Sequence, residues 1–159
     1  MTHASRDTTT GLLFEDKVRV ESIGQNISKK KLCKFLRDSG LKDVTEYLSW
    51  NFEPDEAYYL PDTNEVIIYE KKFQQTSGSA DEKLPACVWK VQEYRNAFSA
   101  VGINKVSYVY ILCDWFKQKR YEKILKYIRN AEDCDYRFVE EINGTKQRLS
   151  NRKDRQSLG

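Results

Sequence analysis

The chain is poor in the residues that several chemistries need. It holds one histidine, His3, and four cysteines, none of them in a CxxC pair. A zinc site of thiolates and imidazoles and a disulfide framework both fall away. Cys33, Cys87, Cys113 and Cys134 read instead as reduced, mostly buried thiols. Seven glycines, with no glycine-rich phosphate loop among them, exclude nucleotide hydrolysis of the P-loop kind. No apolar run approaches the roughly 20 residues of a membrane span, and the polar start lacks the apolar core of a signal peptide. A cytoplasmic location without a membrane partner is therefore expected. Charge of one sign is also scarce: 27 basic residues face 24 acidic ones, for a formal charge of +3. A polyanionic partner must then be met by local clusters rather than bulk charge.

What is present describes a folded domain. A length of 159 residues suits one core, and 40% hydrophobic with 13% aromatic content supplies the apolar surface that offsets ordering entropy. Residues 1–10 are expected as a flexible N-terminus, 11–144 as a single domain and 145–159 as a basic tail. Basic residues gather at Lys29, Lys30, Lys31, Lys34 and Arg37, and again at Lys146, Arg148, Arg152, Lys153 and Arg155. Each cluster reads as a solvated face or as a phosphate-binding surface.

Periodicity gives the elements. A helix is predicted over 11–22 through Leu12, Leu13, Phe14 and Val18, closed by Gly24, and a second over 29–38 with Ser28 as its cap. Ala57 to Leu60 and Val66 to Phe73 read as strands around the turn Pro61-Asp62-Thr63-Asn64, which makes a hairpin. A long helix from Asp81 to Gly102 tolerates Pro85 in its first turn. Val106 to Cys113, almost continuously apolar, is the mark of a central strand covered on both faces. Tyr121 to Ile128 outlines a further helix and Tyr136 to Ile142 a last strand. The order α-α-β-β-α-β-α-β predicts an α/β fold, a central mixed sheet flanked by helices.

One group of residues carries chemistry. Glu70 and Lys72, two apart on a strand, project from one face, whereas Lys71 points the other way beside Tyr69 and Phe73. With the turn near Asp62-Thr63, the residue across the ladder from Asp55 falls near Glu70 to Lys72. Asp62 stays in the turn, about 26 Å from Glu70 at about 3.3 Å per residue. Two carboxylates and an ammonium group on one face suit a divalent cation with a group that activates water. Hydrolysis of sugars by a carboxylate pair gives Lys72 no role.

Pro54-Asp55 followed by Glu70-Lys71-Lys72 resembles the signature of the PD-(D/E)XK nucleases, and of type II restriction endonucleases among them. The resemblance covers most of the chain, because that family's core is a helix, an antiparallel hairpin bearing the motif, a helix and a buried strand. It implies a restriction-endonuclease-like core and a Mg²⁺-dependent endodeoxyribonuclease that leaves 5′-phosphates, with Mn²⁺ as a substitute for Mg²⁺. Asp55 and Glu70 are then the metal ligands, with the Phe73 carbonyl or neighbouring backbone completing the shell, and Lys72 orients or deprotonates the attacking water. An acidic residue on the first helix often reaches the metal in that family, and Glu15 resembles it, with Glu21 as the alternative. Gln74 extends the motif strand as a supporting amide. Lys83 and Lys90 on the next helix are candidates for DNA-backbone contacts. Gln92 and Tyr94 are spaced too closely for the family's glutamine and tyrosine pattern.

Cutting both strands of double-stranded DNA needs two centres, so a homodimer is expected, with a subunit of a larger nuclease as the alternative. Two rival readings remain open. A junction resolvase or repair endonuclease uses the same residues on a different DNA shape, and a non-catalytic DNA-binding subunit keeps the fold alone.

Overall fold

A computed structural model describes residues 10–49, 52–74 and 80–139, with side chains from Lys17 onward except that of Ala80. Residues 1–9 of the expected N-terminal segment and the whole basic tail lie outside them, while Thr10 is helical. The elements are α1 (Thr10–Ile23), β1 (Gln25–Asn26), α2 (Lys30–Asp38), β2 (Glu56–Leu60), β3 (Glu65–Lys72), α3 (Ala80–Lys83), α4 (Cys87–Ser99), β4 (Lys105–Leu112), α5 (Glu122–Asn130) and β5 (Cys134–Phe138). The strands form one mixed sheet in the order β1-β2-β3-β4-β5. β2 pairs antiparallel with both β1 and β3, while β4 is parallel to β3 and β5 to β4. The chain is an α/β domain, as the element order predicts.

Strand alternation sorts side chains onto two faces. On the front, Ala57, Val66, Ile68, Val106, Tyr108, Tyr110 and Leu112 join the main core with Leu32 and Leu36 of α2, Val91 and Phe98 of α4, and Leu125 and Ile128 of α5. On the back, Tyr58, Leu60, Tyr69 and Ile111 pack with Val20 of α1. Lys17 of α1 is buried there at 4% exposure. Its ammonium group is offset by Glu21, by Glu56 at 3.2 Å and by the Tyr69 ring at 4.6 Å. A buried charge survives only when paired in this way. Among the described residues no helix is long and apolar enough to cross a membrane.

Several elements depart from the sequence reading for local reasons. Gln25–Asn26 adds a short edge strand on β2 that two polar, exposed residues do not announce. Ser28 does not cap α2: its hydroxyl accepts from the Ala57 N–H at 3.0 Å, and Lys29 takes the cap position. Pro85 breaks the long helix into α3, a 3₁₀ turn over Leu84–Ala86 and α4, because its missing N–H and ring disfavour a continuous α-helical ladder. The last strand begins at Cys134, two residues before its predicted start, and ends at Phe138. None of the four thiols is in a disulfide; Cys87 and Cys134 are buried and Cys33 and Cys113 partly so.

Candidate active site

The hairpin register creates the site. Glu56 pairs with Tyr69, so the next step of the ladder sets Asp55 against Glu70. The Lys71 N–H donates to Asp55 Oδ2 at 2.8 Å, and the Asp55 N–H makes a long 3.4 Å contact with Glu70 Oε1. The two carboxyl groups therefore lie side by side on the front face, each tied to the other's strand. Glu70 feels this directly. Burial first, then the neighbouring Asp55 charge and a hydrogen bond with Asp55, push its carboxyl up to about 7, while Lys72 and Lys90 pull it back. Lys72 stands on the same face two residues on, as its spacing predicts.

The wall around Glu70 is aromatic. Glu70 pairs with Tyr110 of β4, whose hydroxyl donates to the Leu84 carbonyl at 3.0 Å. That bond fastens the 3₁₀ turn, and hence the start of α4, above the sheet. Tyr94 of α4 stacks on Tyr108 at 6.3 Å and meets Phe52 edge-on at 5.0 Å. Burial and then the Glu70 charge raise the Tyr94 phenol pKa. These rings remove water from one side of the pair, and that burial does most to raise the Glu70 carboxyl.

The sequence places Lys83 and Lys90 on one helix, and the structure separates them. Lys83 is exposed on α3. Lys90 is half-buried on α4, at the edge of the stripe formed by Cys87, Val91 and Tyr94. Burial and the Lys72 charge lower its pKa, and Glu70 opposes them. Lys90 thus belongs to the same electrostatic cluster as Glu70 and Lys72. Its near-helical spacing from Tyr94 was the available signal; the inward turn at Pro85 that directs it was not legible.

Other expected participants lie elsewhere. The Gln74 amide is engaged by Asp81, donating to Oδ1 at 3.0 Å, and its N–H meets Cys113 Sγ at 3.3 Å. Phe73 lies just past β3, three residues from Glu70, or about 10 Å at strand rise. Glu21 is bonded to Lys17 on the back face, away from the pair. Glu15 is on α1, which packs on that back face, but its side chain lies outside the described residues.

The basic cluster on α2 has a specific link to the site. Lys29, Lys30, Lys31, Lys34 and Arg37 are all exposed, and the Lys29 N–H donates to the Pro54 carbonyl at 2.8 Å, one residue before Asp55. Lys29 adopts φ 54° and ψ −128°, a region favourable to glycine and costly for a side chain with a Cβ. Strain of this kind is on the order of 1–3 kcal/mol, partly cancelled in a glycine variant by about 0.5–1 kcal/mol of added chain entropy. Lys29→Gly is therefore expected to stabilise the fold by about 1 kcal/mol, a rise of about 2–4 °C in melting temperature. An unchanged or lower melting temperature by calorimetry would contradict the strain.

The donor set suits a hard cation. Two adjacent carboxylates that repel each other enough to retain a proton gain from a divalent ion in its place. Oxygen ligands favour Mg²⁺ or its analogues, and Mg²⁺ is commonly held by one or two carboxylates with water and substrate phosphate. Among the described residues no group of three or more His, Cys, Asp and Glu side chains converges on a metal position. From those side chains a cation would have Asp55 and Glu70 alone. A groove of about 460 Å³ lined by Glu46, Tyr47, Glu93, Asn96, Ser99 and Ala100 lies further along α4 and offers no cationic side chain. No family model, curated protein or solved structure matches the chain.

Proposed function

We propose that this protein is a Mg²⁺-dependent endodeoxyribonuclease of the PD-(D/E)XK type with a restriction-endonuclease-like core. The observation that carries the reading is the meeting of Asp55, Glu70 and Lys72 on one face of two neighbouring strands. The surrounding order supports it: an antiparallel hairpin, a helix across the front face, and a strand parallel to the second hairpin strand.

In this reading Asp55 and Glu70 would hold Mg²⁺, or Mn²⁺ in its place. Bound there, the ion supplies positive charge against the phosphate and lowers the pKa of water. Lys72 orients or deprotonates the attacking water. The new bond forms between that oxygen and phosphorus as the bond from phosphorus to the 3′-oxygen breaks, leaving a 5′-phosphate and a 3′-hydroxyl. Lys90 adds a second fixed cation beside the developing charge, and such preorganised charge favours the transition state. The tyrosine wall keeps water from that side, so these charges act at a lower dielectric than in bulk. A homodimer, or assembly into a larger nuclease, supplies the second centre that a double-strand cut requires.

Supercoiled plasmid incubated with the protein in millimolar Mg²⁺ is expected to be nicked or linearised, and to stay intact in EDTA. Discrete fragments would identify a site-specific enzyme. DNA that is bound yet never cut with Mg²⁺ or Mn²⁺ would overturn the enzymatic reading in favour of a DNA-binding subunit.

A further inference from the structure

Between positions 29 and 38 five basic residues accompany a single acid, Asp38, which is more net charge than the +3 of the whole chain. Lys30, Lys34 and Arg37 recur at i, i+4 and i+7 on α2, so they form one stripe opposite Leu32 and Leu36, which are buried in the main core. All three are exposed, and Lys29, exposed in the cap position, stands at the head of the stripe. The Lys34 ammonium group meets Asp38 at 2.7 Å, but both groups lie in water, where such a pair holds a lysine only weakly.

The head of the stripe is anchored at the site, because the Lys29 N–H donates to the carbonyl of Pro54, the residue before Asp55. At about 1.5 Å of rise per residue, Lys34 lies about 6 Å and Arg37 about 10 Å along the helix axis from Lys30. One strand of a duplex presents a phosphate every ~3.4 Å along its axis, so the stripe spans about three successive phosphates. A backbone lying on α2 is thus delivered to Asp55 and Glu70 at its end. Every exposed side chain of α2 is charged, and its one ring, Phe35, packs inward on Tyr59 at 5.2 Å and on Phe98 at 6.2 Å. A surface for unpaired strands interleaves aromatic platforms with its cations, whereas a purely charged one reads the backbone alone and fits the regular phosphate ladder of a duplex. Lys119, Lys123 and Lys126 repeat the same spacing in and before α5, and all three are exposed. That helix packs on β5, three strands from β2 or about 14 Å across the sheet, on the other flank from Asp55.

We infer that α2 is the phosphate track of this protein: Lys29, Lys30, Lys34 and Arg37 hold successive phosphates along one strand of double-stranded DNA and lead it to Asp55 and Glu70. This rests on the nuclease reading and adds where the substrate lies, and binding measured without a divalent cation separates the two.

Binding of a labelled blunt DNA duplex to the full chain is followed in EDTA, by fluorescence anisotropy, over a range of salt. Lys30→Ala, Lys34→Ala and Arg37→Ala combined are expected to weaken binding about a hundredfold at about 0.1 M salt and to flatten the slope of log K against log salt by about 2–3, the counterion release of about three phosphate contacts. Lys29→Gly, expected to melt higher than the unaltered protein, should nevertheless bind about threefold to tenfold more weakly, a combination that damage to the fold does not produce. The same charge removed from the other flank, by Lys119→Ala, Lys123→Ala and Lys126→Ala combined, should leave affinity within about threefold. An equal loss in the two triple variants, or an unchanged salt slope in the first, overturns the inference. Undiminished binding by Lys29→Gly likewise overturns it, because the head of the track then holds no phosphate. The duplex is then incubated with Mg²⁺ at low DNA concentration. Cleavage by the first triple variant as fast as by the unaltered protein overturns the track and leaves the nuclease reading standing. Duplex that is bound in an α2-dependent way and never cut overturns the nuclease reading and leaves the track standing.

Discussion

Lys72→Ala is expected to lower Mg²⁺-dependent DNA cleavage by about 10²–10⁴-fold, the usual range for removing a group that transfers a proton or holds the attacking water. Asp55→Asn should do at least as much damage by a different route. The amide keeps an oxygen that can accept from the Lys71 N–H, so the strand pairing is retained while the charge offered to a cation is lost. Both variants should melt within a few degrees of the unaltered protein, since neither residue belongs to the hydrophobic core. Lys90→Ala provides the internal comparison. It removes a cation from the same cluster but from the opposite wall, and its loss should be about tenfold to a hundredfold. Robust cleavage by Lys72→Ala together with a dead Lys90→Ala would transfer the water-handling role to the helix. Robust cleavage by Asp55→Asn would remove the carboxylate pair from the chemistry.

The second large effect concerns stability. The Glu70 carboxyl is held up to about 7 in the folded chain, above its ordinary 4.5, by burial and by Asp55. As pH rises from about 4.5 through 7, the unfolded chain releases this proton before the folded one does, so the folded state loses stability across that window. A shift of this size is worth about 3 kcal/mol at full strength, and about 1–3 kcal/mol after solvent screening of a partly buried group. Glu70→Gln keeps the shape and removes the titration. In EDTA at about pH 8 it should melt higher than the unaltered protein by about 3–10 °C, and the two should converge near pH 4.5. Mg²⁺ at about a hundred times its dissociation constant should return about 2.7 kcal/mol to the unaltered protein and little to the variant. A pH-independent difference, or a variant that melts lower throughout, would mean that burial and Asp55 do not hold the Glu70 carboxyl up in the folded chain.

The parts of this arrangement that were legible in the sequence are those set by short-range geometry. Pro61-Asp62-Thr63-Asn64 forms the turn, with Asn64 at φ 52° and its N–H bonded to the Pro61 carbonyl at 3.3 Å. Once the turn is placed, a period of two sends Asp55, Glu70 and Lys72 to one face and Glu56 and Lys71 to the other. The apolar run that became β4 was legible for a similar reason, because only a strand covered on both sides tolerates it. What was not legible depends on contacts between distant segments. Ser28 has the chemistry of a helix cap, but the Ala57 N–H sits within reach and takes its oxygen. Gln25 and Asn26 carry no strand pattern and pair only because Tyr58 and Tyr59 pass alongside. Lys90 looks like any surface lysine until Tyr110 fastens the turn at Pro85 and brings α4 down over Glu70.

Two consecutive acids hold one residue from opposite sides. Asp55 accepts from the main chain of Lys71 on the front, and Glu56 approaches the Lys71 ammonium at 3.7 Å on the back while also meeting Lys17. The hairpin is thereby clamped in one phase, and slipping it by a single position would exchange the two acids and send a buried ammonium group a carboxylate meant for a cation. Length changes in the loop between these strands should accordingly be accepted where the turn absorbs them and refused where they move the ladder by one position, a constraint imposed on the chain by its own chemistry.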